Sequence, residues 1–160
     1  MKLSNAINIL KLNRFMRTEE EIILFEEALE EIANINDYHI IGELIDVLED
    51  DTEHEEVMWG LIHIIEYLYE FSPKESLELL IHSIPDNIEK GKEWIELLHI
   101  RILNHDKYRK LFAGALKEVD AQVQEIIVNL LNDIKKEDPV RFEGKIEEIK
   151  TFLLNSHERT

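Results

Sequence analysis

Cysteine is absent from this 160-residue chain. That excludes disulfides, thiolate metal sites and cysteine nucleophiles, and it suits a reducing compartment. Turn-formers are scarce, with five Gly and three Pro, which disfavours a β-sandwich or barrel. No apolar run reaches membrane-spanning length, and no long apolar stretch or small-residue cleavage site follows the basic start Met1-Lys2. The expectation is no membrane segment, no secretory signal and a cytoplasmic location. One third of the chain also lacks basic residues. Between Thr18 and Pro73 there are 18 Asp or Glu and not one Lys or Arg.

What is present belongs to a globular chain, 44% hydrophobic and 33% charged, long enough for a single domain over 1–160. The net charge is −17, and the 104 residues outside Thr18–Pro73 carry 17 acids against 18 bases. All of the excess therefore sits in the base-free third. Such a surface repels phosphate, so neither nucleic acid nor an anionic membrane is an expected partner. An acid-rich surface can serve solubility alone. Helices normally mix signs to gain i,i+4 pairs, however, and this region forgoes them. A basic protein partner is the simplest function that would offset the repulsion.

Helix signals recur along the chain. A short helix is expected near Asn5–Leu12. Thr18-Glu19-Glu20-Glu21 forms a capping box before Ile22, Phe25, Ala28, Leu29 and Ile32. Asp37 precedes a shorter amphipathic stretch. Thr52-Glu53-His54-Glu55 forms a second capping box, opening a helix to about Glu70. Ser72-Pro73, Asp86, Asp106, Asp120 and Asp138-Pro139 mark five further starts. No stretch alternates with period two, so the predicted fold is all-α. The longer helices begin near 18, 52, 86 and 120, about 34 residues apart, each followed by a second helix. That period predicts a HEAT-like stack of about four helical hairpins over 18–154, with a helix and linker at 1–17 and a tail at 155–160. An irregular orthogonal helical bundle is the alternative.

On a helical wheel centred on Trp59, the residues Glu55, Glu56, His63, Glu66 and Glu70 fall within about 60°. Val57, Leu61, Ile64 and Leu68 lie opposite and are the expected core face. Trp59 is thus either packed under a neighbouring hairpin or an aromatic anchor ringed by carboxylates, the composition of a hot spot for a cationic partner. Glu49, Asp50 and Asp51 form an acidic loop extending the patch. Glu93, Trp94 and Arg101 make a second candidate surface. If Glu53–Glu70 is the first helix of its hairpin, solenoid packing places it on the convex side; a shifted pairing makes it concave.

Catalytic and metal signatures are lacking. Glu96 and His99 form one Glu-x-x-His, where a di-iron bundle needs two and further Glu in the core. His54-Glu55 has no second His at zincin spacing, since residue 58 is Met. There is no Gly-rich phosphate loop and no Gly-x-Ser-x-Gly. No cofactor, no metal and no enzymatic activity are expected.

The segment from Asp50 to Glu66, with Trp59-Gly60 at its centre, resembles the central stretch of the immunity protein 30 family. Lys92-Glu93-Trp94 with Leu98 and Arg101-Ile102-Leu103-Asn104 resembles the family's second signature. Leu130-Leu131-Asn132-Asp133-Ile134, Pro139 and Phe142 also fit, so the resemblance spans about Thr18 to Leu154. It implies an antidote in a bacterial polymorphic toxin system, acting in contact-dependent inhibition. Such a protein binds the C-terminal effector domain of a toxin encoded beside it and neutralises it in the cytoplasm. Many such effectors are nucleases, commonly basic because they grip phosphate. The rival reading is a helical-repeat adaptor that docks a basic endogenous protein. The oligomeric state is left open.

Overall fold

The computed structural model describes residues 3–155, and these form nine α-helices and no strand. They are α1 (Leu3–Leu12), α2 (Glu19–Ala33), α3 (Ile41–Ile45), α4 (Glu55–Tyr69), α5 (Pro73–Ser83), α6 (Lys92–Leu103), α7 (Asp106–Glu118), α8 (Ala121–Glu137) and α9 (Pro139–Asn155). A 3-10 turn over Tyr38–Ile40 leads into α3. The all-α expectation holds. Apart from Asn155, which ends α9, the expected tail lies outside the described residues.

Helix starts follow local chemistry where a side chain can reach a free N–H. The Thr18 hydroxyl accepts from Glu21 N–H at 3.1 Å, and Glu21 Oε1 accepts from Arg17 N–H at 3.3 Å. Asp120 accepts from Val123 N–H at 3.0 Å, and Asp138 from Arg141 N–H at 3.3 Å. Three expected starts are displaced. The Thr52 box does not form: α4 begins at Glu55, and the buried Thr52 hydroxyl has no hydrogen-bond partner. Tertiary bonds hold that loop elsewhere, with Glu53 N–H donating to Phe15 C=O at 2.9 Å. Asp86 lies in a turn, and α6 starts only at Lys92. His105 rather than Asp106 caps α7, its Nδ1 accepting from Tyr108 N–H at 3.3 Å.

The helices pack in two layers. One contains α2, α4, α6 and α8, and the other α3, α5, α7 and α9, while α1 lies against α2. Constant offsets show that α4 runs parallel to α2, since Gly60 lies by Leu29, and parallel to α6, since Trp59 lies by Trp94. Asn36 meets Tyr67, 31 residues on, and Glu66 meets Arg101, 35 residues on. This order is compatible with a HEAT-like stack, and α4 is the first helix of its hairpin. One continuous core runs between the layers, through Phe25, Leu44, Leu61, Ile81, Leu98, Phe112, Leu131 and Ile146. Close approach has a sequence cause at Gly60, where a Cβ would meet Leu29 Cδ1 at 3.2 Å.

The core face of α4 is not the one the wheel centred. Met58, Leu61, Ile62, Ile65, Leu68 and Tyr69 are buried, whereas Val57 and Ile64 are only partly so. The buried arc is turned by roughly 70°. Neighbours α2 and α5 cover one side of α4, and α6 reaches its other flank through side chains. Trp59 consequently stands at the edge of the core, half-buried.

Candidate partner-binding surface

The flank between α4 and α6 brings the two candidate surfaces together. The rings of Trp59 and Trp94 meet edge to face, their centroids 6.0 Å apart. One turn along α4, His63 presents its ring to Trp59 at 5.6 Å, again at right angles. Arg101, two turns after Trp94 on α6, places its guanidinium 5.6 Å from the Trp59 ring. The same guanidinium holds Glu66 with two bonds, Nε at 2.6 Å and Nη2 at 3.0 Å. Parallel helices in register account for both contacts: the 35-residue offset that pairs Glu66 with Arg101 also pairs Trp59 with Trp94.

The acidic loop before α4 is divided in its roles. Glu49 is 5% exposed, faces Arg14 at 3.4 Å and accepts from Asp51 N–H at 3.1 Å. It turns inward and contributes no free charge to the patch. Asp50 accepts from Glu93 N–H at 3.0 Å and from Trp94 N–H at 3.4 Å. It thereby caps α6, which has no cap of its own because Gly91 stands at that position. Burial pushes the Asp50 carboxyl up, against the downward pull of these N–H donors. Trp94 Nε1–H donates to Glu49 C=O at 3.1 Å, and Lys90 Nζ donates to the carbonyls of Asp46 and Leu48. Gly91 allows this closeness, since a Cβ there would stand 3.0 Å from Leu48 O. The loop is a clasp on the start of α6. Asp51 remains exposed.

Trp94 is 7% exposed, so of the second candidate set Glu93 and Arg101 reach solvent and Trp94 supports Trp59 from beneath. Glu55, Glu56, His63 and Glu70 are exposed, and Glu66 is partly covered by Arg101. The sequence reading missed two things. The exposed acids of α2, Glu19, Glu20, Glu26, Glu27, Glu30 and Glu31, lie on the helix next to α4 and have no basic partner among the described residues. The lack of Lys and Arg from Thr18 to Pro73 was the available signal, but no part-exposed aromatic marks α2 as Trp59 marks α4. Bases from outside the acidic third also reach in, as Lys11 does to Asp46 at 3.9 Å.

Glu96 and His99 do not form a metal pair. His99 is buried, donates from Nδ1 to Ile95 C=O at 2.7 Å and lays its ring against Phe112 at 5.3 Å. Among the described residues, no group of three His, Asp or Glu could hold a metal ion. None of the helices described is long and apolar enough to cross a membrane.

The architecture defines an all-helical protein of stacked pairs with an acidic, aromatic seam on one layer. Its residues 12–112 match the family model Immunity protein 30, and the chain belongs to that family. Membership implies an immunity protein whose partner is a toxin protein. The match takes in Trp59, Trp94 and Arg101 and ends before Leu130–Phe142, where the third resemblance had been seen. No curated protein and no solved structure matches the chain.

Proposed function

We propose that this protein neutralises a basic toxin effector domain by direct binding, presenting the acidic surface of α2 and α4 with Trp59 as anchor. The observation that carries this reading is the seam itself. Trp59 stands half-buried between Trp94, His63 and Arg101, and Glu55, Glu56 and Glu70 stand exposed on its helix without basic partners among the described residues. A rigid aromatic held from beneath loses little entropy on binding, and surrounding charge steers the approach of an oppositely charged partner. A nuclease effector fits best, because an enzyme that grips phosphate must be basic, and carboxylates can occupy the place of phosphate charge. The mechanism is then occlusion: the acidic face covers the effector's active surface in the cytoplasm.

Co-expression tests it. The toxin domain encoded beside this chain's gene should arrest growth alone, and growth should resume when this chain is supplied. The two should co-purify. Arrest that persists with abundant, folded protein would remove the toxin from the account and leave an adaptor for a basic endogenous protein.

A further inference from the structure

At the end of the same seam, the last turns of α4 and α6 and the first turn of α7 surround an open pocket of about 290 Å³. Glu66, Tyr69, Arg101, Asn104, His105 and Tyr108 line it. Tyr69 is 2% exposed, and its phenolic oxygen is buried without a hydrogen-bond partner. Its ring meets that of Tyr108 edge to face at 5.6 Å, an apolar support that leaves the hydroxyl unused. Burial pushes the phenol up, so it keeps its proton and is a donor. A buried hydroxyl left unpaired lowers the stability of a folded chain, and it calls for an explanation.

The other groups in the pocket narrow what could satisfy it. Both oxygens of Glu66 are taken by Arg101. Asn104 Oδ1 accepts from Lys145 Nζ at 2.9 Å, which leaves its amide N–H groups. His105 Nδ1 accepts from Tyr108 N–H, which puts the proton of the neutral ring on Nε2. The Tyr69 hydroxyl, the Asn104 amide and His105 Nε2–H are donors left unspent, and the Tyr108 hydroxyl can serve as donor or acceptor. A cation finds its natural carboxylate already occupied and a guanidinium beside it. An anion meets Glu66 and nearby Glu70, on a chain of net charge −17. A neutral acceptor fits both conditions.

We propose that this pocket receives a carbonyl oxygen of the toxin partner, from an Asn or Gln side chain or an exposed main-chain loop, with Tyr69 as its principal donor. This rests on the partner reading above and adds to it a polar contact that places the partner in register with the Trp59 anchor.

The test is Tyr69→Phe, with Trp59→Ala as a separate variant, both checked by circular dichroism. Thermal melting of the free protein and calorimetric affinity for the neighbouring toxin domain are measured together. Tyr69→Phe removes a hydroxyl without a partner, so the melting point should stay or rise, while affinity falls about tenfold. A lower melting point, whatever the affinity, would show that the hydroxyl is already hydrogen-bonded in the free protein and would overturn the proposal. Unchanged affinity would overturn it as well. If Trp59→Ala weakens binding while Tyr69→Phe does not, the pocket fails and the anchor stands. If neither variant weakens binding, or the wild type does not bind, both readings fail.

Discussion

Single residues in this protein divide into those that hold the seam and those that present it. Glu49 belongs to the first kind. A lysine at that position would bury a cation against the part-exposed Arg14 and should cost about 2 kcal/mol or more. Glu49→Lys should therefore lose stability in a urea melt before any effect on binding can be read. His99 gives a residue-level pH dependence. Burial pushes its imidazole down from the ordinary 6.5 to about 4, so the unfolded chain takes up a proton that the folded chain refuses. The sign follows: stability is unaffected above pH 6.5 and falls as pH drops from there towards 4. The loss from this group is about 3 kcal/mol at most. Other carboxylates titrate in the same window, so the measurement is a difference. Urea midpoints of wild type and His99→Gln, compared from pH 7 to 4.5, should show the wild type losing more. Parallel profiles would mean that His99 takes up its proton alike in the folded and unfolded chain.

At the scale of elements, the clasp between the 46–54 loop and α6 is the feature on which the seam depends. Asp50→Ala removes the side chain that caps α6 and should cost about 1 kcal/mol, seen as a lower melting point. Loosening the clasp also frees Trp94 Nε1–H from Glu49 C=O, so tryptophan emission should shift to the red. A variant with unchanged melting and unchanged emission would remove the clasp from the account. The helices themselves were legible in the sequence, because capping residues such as Thr18 and Asp120 and apolar spacing act locally. The Thr52 box was not, because Glu53 N–H finds Phe15 C=O from a distant part of the chain and shifts the start of α4. The wheel put Trp59 and Glu66 on one surface, and Trp94 and Arg101 were read as a second. Their union needs the register between α4 and α6, which only packing sets. Glu49 and Asp50 were misjudged for a related reason: an acidic loop looks solvated until the helix it caps is seen.

For the whole molecule, charge decides both stability and association. Bases outside the acidic third reach Asp46, Glu49 and Glu66, so the repulsion is smaller than the sequence alone suggests. Most of the acids on α2 and α4 still face water without a basic partner among the described residues. Salt screens such charges over about 8 Å at physiological strength, so the melting point near neutral pH should rise with moderate salt. A falling midpoint would mean that the cross-element ion pairs outweigh the repulsion. In the proposed function the same surface meets the partner, with α2 supplying long-range field and α4 the contact.

The most direct measurement of that claim is surface plasmon resonance against the proposed toxin effector domain across a salt series, with folded variants compared. Reversing Glu55 and Glu56 to Lys should slow association and flatten its dependence on salt, with little change in dissociation, because exposed charges act by steering. Trp59→Ala should instead speed dissociation, a loss of about 2 kcal/mol or more, because the aromatic anchor is gone. If all these variants associate and dissociate like the wild type at every salt concentration, the seam between α4 and α6 is not where the partner binds.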